Sequence, residues 1–210
     1  MSDLKDLNKS IRKSGIDAIG NVSWGRHLCV FYKAKEEILG ILVKYFKAGL
    51  ENNEFCIWVA SDEFSAEEAR AYFKKEVKDL DTYIDKGQMV FGDYKDYYLK
   101  EGQFTAFKTL EMWSSKEKEI LAKGFEGMRV AGDGSWAVKG NWVNLSYYET
   151  EVDRIIENYK IIAICSYSLD RLKLKEIVDI GSSHHSILTK QSGDWRNIHG
   201  SDISKIKSVL

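Results

Sequence analysis

Five short apolar runs, His27–Tyr32, Phe55–Ala60, Gln88–Phe91, Met128–Asp133 and Ile161–Tyr167, are separated by segments whose apolar residues recur with a helical period. That alternation restricts the chain more than any other feature. The segment Lys35–Leu50 carries Ile38, Ile41, Leu42, Tyr45 and Phe46 on one helical face, so the runs on either side of it form a βαβ unit with parallel strands and a right-handed crossover. Ser65 and Glu68 make a capping box for a helix to about Val77. Further helices are predicted from about Phe104 to Lys123, with Phe107, Leu110 and Trp113 on the buried side, from Trp142 to Asn158, and from Asp170 to Ile180. Ile161–Tyr167 is apolar almost throughout, as in a strand covered on both faces. The fold class is α/β, a three-layer sandwich around a mostly parallel central sheet of about five or six strands, counting a short strand at Ser186–Thr189.

Around this body, residues 1–20 are read as an N-terminal amphipathic helix on Leu4, Leu7 and Ile11, residues 21–190 as one domain, and 191–210 as a polar tail. The loop of Tyr94, Tyr97 and Tyr98 is read as a surface turn in preference to a lid. Thirty-one basic side chains against thirty-two acidic ones leave no electrostatic footprint for nucleic acid or for an anionic membrane. No apolar run reaches the roughly 20 residues of a membrane span, and the first ten residues lack a signal-peptide core, so a cytoplasmic location is expected. Cys29, Cys56 and Cys165 all lie in apolar runs, which predicts reduced thiols.

Period-two alternation puts His27, Cys29 and Phe31 on one face of the first strand and Leu28, Val30 and Tyr32 on the other. In open parallel sheets ligands collect at the carboxyl ends of the strands, where this chain offers hydroxyls, carboxylates and aromatic rings. A nucleotide site would need a glycine-rich turn after the first strand, but Tyr32 is followed by Lys33-Ala34-Lys35-Glu36-Glu37. No GxGxxG follows any strand, and Ser135 lacks a nucleophile elbow. His27, Cys29, Cys165, His184 and His185 contain enough nitrogen and sulfur donors for zinc, but their spacing matches no finger or ribbon, so neither a metal nor a cofactor is assigned.

Gly25-x-His27-x-Cys29-x-x-Tyr32, Gly49-Leu50, Met128-Arg129 through Asp133 and Trp136, Cys165-x-Tyr167 and a late histidine occur in one order from about Gly25 to Leu188. In that order and spacing the chain resembles the MEDS family (methanogen/methylotroph, DcmR sensory), which is similar to RecA/KaiC-type ATPases without a working phosphate loop. The resemblance implies a non-enzymatic sensor of one-carbon or hydrocarbon-derived compounds, and His27, Cys29, Arg129, Asp133, Trp136, Cys165 and Tyr167 match positions characteristic of the family. His184 stands for the late histidine although no proline follows it, and Ser168 occupies the place of a family aspartate. A RecA-like strand order would put the strand of Cys165 beside that of Cys29.

The ligand-binding residues expected from this reading are His27, Cys29, Tyr32, Arg129, Asp133, Trp136, Cys165, Tyr167 and His184, in a pocket at the carboxyl edge of the sheet. Asp133 and Tyr167 would fix polar groups of a small molecule and Trp136 would wall it. Arg129 would bind an anionic group or, more in keeping with its place at the strand's start, tie a helix to the sheet. Cys29 would form the pocket floor beside Cys165, with His27 in a hydrogen-bonded structural role. Output would pass to a kinase or transcription regulator, or through a homodimer. The competing readings are a vestigial nucleotide-binding ATPase and a metal or redox sensor built on His27, Cys29 and Cys165.

Overall fold

A computed structural model describes residues 10–99, 102–138, 140–200 and 202. The chain first forms a small antiparallel ribbon, Ile11–Lys13 (β1) with Asn21–Ser23 (β2). Then follow Arg26–Tyr32 (β3), Lys35–Leu50 (α1), Phe55–Ala60 (β4), Ala66–Glu76 (α2), Leu80–Asp85 (α3), Met89–Asp93 (β5) and the single turn Tyr94–Tyr97 (α4). The second half comprises Ala106–Ala122 (α5), Met128–Asp133 (β6), Trp142–Ile155 (α6), Ile161–Ser168 (β7), Leu174–Ser182 (α7), Ser186–Gln191 (β8) and Asp194–His199 (β9). The main sheet has seven strands in the order β5-β4-β6-β7-β3-β8-β9, parallel except for the β8–β9 hairpin.

The alternation in β3 divides the core. Leu28, Val30 and Tyr32 pack with α1 and α2 on one face, and Cys29 and Phe31 face α6 and α7 on the other. β7 is the middle strand of the sheet, and Cys29 of β3 is the in-register partner of Cys165 of β7. The α1 face is closed at its base by Arg129, which is fully buried and pairs with Glu54. Its remaining donors reach the carbonyls of Lys13, Ser14 and Tyr45, so one guanidinium joins the β1 ribbon, α1, β4 and β6. Gly49 makes room for it: a Cβ there would lie 2.6 Å from Arg129 Cδ. Gly25 is equally constrained, with φ +75° and a virtual Cβ 2.6 Å from Glu157 Cα.

Several expectations need correction. Leu4 and Leu7 lie outside the described residues, but the end of the expected N-terminal helix is the strand β1, and Ile11 is 69% exposed instead of buried. Part of the expected polar tail is β9, an edge strand that makes the sheet seven strands wide. Phe107 is 67% exposed, because the stripe that α5 buries runs through Ala106, Thr109, Trp113 and Ile120. Tyr94 and Tyr98 are buried and both stack with Trp136, ring centroids 5.6 and 5.7 Å away, so the expected surface turn belongs to the core.

Candidate ligand and metal site

Three of the singled-out residues converge where β3, β7, α6 and the end of α7 meet. His27 and Cys165 project from adjacent strands towards α6, and His27 Nε2 lies 3.4 Å from Cys165 Sγ. His184 follows the last turn of α7 and stacks on His27, with ring centroids 3.8 Å apart. Glu149, on the buried stripe of α6 between Leu145 and Val152, completes the group. Its Oε2 is 3.0 Å from His27 Nε2 and 3.4 Å from His184 Nε2. One donor atom from each of the four side chains lies within 4.8 Å of all the others.

The surrounding backbone sets the tautomers. His27 Nδ1 is 3.0 Å from the carbonyl of Ser183 and His184 Nδ1 is 2.7 Å from that of Ile180. A carbonyl only accepts, so both Nδ1 atoms carry hydrogen, and the Nε2 atoms are left to face Glu149. Tyr167 donates its hydroxyl to Glu149 Oε1 at 2.7 Å, which orients the carboxylate and leaves Oε2 for the histidines. Burial alone would lower the pKa of His27, but Asp153 and Glu149 outweigh it and hold His27 up at about 8. Against the burial that would raise it, His184 and His27 keep Glu149 well below the usual carboxylate range. His184 is pushed down by burial and by the charge on His27. Burial and the nearby Glu149 raise the thiol pKa values of both Cys165 and Cys29.

Against the same helical face lies an apolar cavity of about 50 Å³ between α5, α6 and the strands β6 and β7. Leu110, Val130, Val152, Ile155, Ile161 and Ala163 line it, with the rings of Tyr98, Trp113, Tyr148 and Tyr159. Cys165 belongs to both the lining and the polar cluster, and with Ala163 it keeps some accessible surface although β7 is the central strand.

Tyr167 touches the group through Glu149, whereas Tyr32, Asp133, Trp136 and Arg129 lie apart. Asp133 is buried at the carboxyl end of β6, where its oxygens accept from the Tyr32 hydroxyl at 2.7 Å, the Ser166 hydroxyl at 3.2 Å and the Ser135 amide at 3.0 Å. That ties Tyr32 and Asp133 into a closed network at the sheet's edge. Trp136 belongs to the Tyr94–Tyr98–Phe104 aromatic cluster and does not line the cavity. Arg129 is corrected from ligand contact to structural tie, since it lies at the base of the opposite layer with its donors engaged. Cys29 packs beside the cluster without contributing a donor.

Sequence reasoning missed Glu149. The signal was an acid inside an apolar helical stripe, at i+4 from Leu145 and i−3 from Val152. A second feature is the turn after β3: Glu37 Oε2 accepts from the amides of Lys33 at 3.0 Å and Ala34 at 3.3 Å. In a phosphate-binding loop such amides point at the ligand. Here a carboxylate of the chain itself holds them.

The repressor of Methylorubrum extorquens (strain DSM 6343 / CIP 106787 / DM4) named transcriptional repressor DcmR is 23% identical over 193 residues, 87% of this chain. The chain spans 66% of that repressor's length. The fold is similar to a KaiC-like protein of Pyrococcus horikoshii OT3, with a TM-score of 0.58 at 14% identity over 90% of this chain and 85% of that one. It is also similar to the flagellar accessory protein FlaH of Methanocaldococcus jannaschii, with a TM-score of 0.51 at 15% identity, covering 83% and 76% of the two chains. These likenesses establish a RecA/KaiC-like fold, and residues 26–185 match the family described as the methanogen/methylotroph, DcmR sensory domain. The chain belongs to the MEDS family.

Proposed function

We propose that this sensory domain is non-enzymatic and takes a small, largely apolar molecule of the one-carbon or short-hydrocarbon class into the cavity between α5, α6 and β6–β7. The observation that carries the reading is the cavity itself, whose walls are mostly aliphatic and aromatic, with Ser114, the thiol of Cys165 and the tyrosine hydroxyls as their polar groups. Its volume of about 50 Å³ exceeds the roughly 10–15 Å³ that one water needs and falls short of the roughly 150 Å³ that admits benzene. A ligand of a few non-hydrogen atoms fits that range. The Glu37 carboxylate on the Lys33 and Ala34 amides weighs against nucleotide phosphate at the turn where the fold would receive it.

Ligand size limits affinity. At a ceiling of about 1.5 kcal/mol per non-hydrogen atom, a three-atom ligand binds no tighter than a Kd of about 0.5 mM. At 10 mM such a ligand stabilises the fold by at most about 2 kcal/mol, or about 4–8 °C in Tm. Output would pass to a kinase or transcription regulator, or through self-association; the repressor relative supports a regulatory output. The test is a thermal-shift screen of methanol, methylamines, methanethiol and halomethanes on the wild type and on Ala163→Val, whose two added carbons enter the cavity. A ligand that raises Tm in the wild type and not in the variant supports the proposal. Equal shifts in both proteins, or none at tens of millimolar, overturn it.

A further inference from the structure

The cluster at the end of the cavity has more acceptors than donors. Two Nε2 atoms, the Glu149 Oε2 and the Cys165 sulfur face one another, while both Nδ1 hydrogens point away to backbone carbonyls. A proton on His27 serves one contact. Glu149 Oε2 and His184 Nε2 are still buried without a hydrogen bond of acceptable geometry. A second proton, on His184, would put two positive rings 3.8 Å apart in a stack. Each unsatisfied buried polar atom costs about 1–3 kcal/mol, so a single group that meets all four is favoured over protons.

We propose that His27 Nε2, Glu149 Oε2, Cys165 Sγ and His184 Nε2 bind one transition-metal dication, zinc by the chemistry of the set. Two borderline imidazoles, one soft thiolate and one hard carboxylate form the mixed nitrogen, sulfur and oxygen set that zinc accepts in tetrahedral geometry. Bonds of about 2.0–2.3 Å place tetrahedral donors about 3.3–3.8 Å apart. Three of the donor pairs stand 3.0, 3.4 and 3.4 Å apart and all four donors lie within 4.8 Å of one another, so a tetrahedral ion needs only that the stacked His27 and His184 rings, now 25° apart in plane, tilt to aim both Nε2 atoms at it. The thiolate and the carboxylate neutralise a dication, so the buried centre has no net charge. The outer partners are also in place: Ser183 and Ile180 carbonyls fix the two rings, and Tyr167 fixes Glu149. Cys165 then links metal and cavity, so that a molecule in the cavity lies against a metal-bound thiolate. This assignment replaces Cys29 in the donor set with Glu149 and His184, and it does not depend on the identity of the organic ligand.

The test uses the full chain without a histidine tag, stripped with chelator and titrated with Co²⁺ and with Zn²⁺ in the absence of any organic ligand. One equivalent of Co²⁺ with a thiolate-to-metal charge-transfer band and strong tetrahedral d–d absorption, displaced by Zn²⁺, is expected. Cys29→Ser should keep that spectrum, and Cys165→Ser should lose the charge-transfer band with at least about a tenfold weaker affinity. Should Cys165→Ser fail to fold, the wild-type spectrum and Cys29→Ser still decide. Less than a tenth of an equivalent bound, an octahedral spectrum without the thiolate band, or loss of the band in Cys29→Ser each overturns the proposal.

Discussion

Replacing Arg129 with methionine keeps most of the side chain's apolar stem and removes its charge from a site with no access to water. Three elements lose their common tie: the β1 ribbon through the Lys13 and Ser14 carbonyls, α1 through the Tyr45 carbonyl, and β4 through Glu54 at its N-terminal edge. Removing one partner of a buried ion pair costs about 3–5 kcal/mol, because the other charge is left uncompensated. Glu54 retains Arg12, whose Nε is 2.9 Å from Oε1, and this places the loss near the lower end, about 3 kcal/mol. For a chain of 210 residues that corresponds to about 6–12 °C in Tm. Urea unfolding followed by circular dichroism measures it. The double variant R129M/E54Q should lose less than the sum of the two single variants, since both remove the same buried pair. Stabilisation by a cavity ligand should persist in both. A loss below about 1 kcal/mol, or strictly additive losses in the double variant, would refute the structural assignment of Arg129.

Two other outcomes follow from the site. In chelator-treated protein His27 has its pKa raised from 6.5 to about 8 by Asp153 and Glu149, with His184 and His185 also facing it. A pKa raised on folding gives stability that is fully present below 6.5 and lost as pH rises through about 8, about 2 kcal/mol in all, and His27→Gln should flatten that decline in chemical denaturation. Zinc-loaded protein should instead lose metal on acidification, because protons compete for the same nitrogens. Equilibrium titration with Mg·ATP should give no saturable binding at millimolar concentration, given the Glu37 carboxylate on the Lys33 and Ala34 amides; saturable binding would restore the nucleotide reading.

Period-two alternation in the first strand was enough to assign Cys29 and Phe31 to one layer and Leu28, Val30 and Tyr32 to the other, because both faces are buried and each must match its own helices. The RecA-like order was likewise enough to pair the strands of Cys29 and Cys165. Elements without a buried stripe were harder. β1 is three residues long with Ile11 outward, and β9 is a polar edge strand, so neither has the pattern that burial imposes. Phe107 misled because the helix turns it to solvent, although it neighbours the buried Ala106. The motif histidines and Cys165 were legible as a set, whereas Glu149 was not, since an acid on a helix is ordinarily solvated. Only tertiary packing against two histidines and Tyr167 makes its burial sustainable.

The central claim is that a small apolar molecule occupies the cavity on the α5–α6 side of the sheet. Methyl-labelled protein titrated with xenon and with dichloromethane tests this residue by residue in NMR spectra. Saturable shifts are expected at Val130, Val152, Ile155 and Ala163, which line the cavity, and none at the methyls beside Asp133 and Trp136. Shifts confined to the carboxyl edge of the sheet, or no saturable shift at any methyl, would contradict the claim.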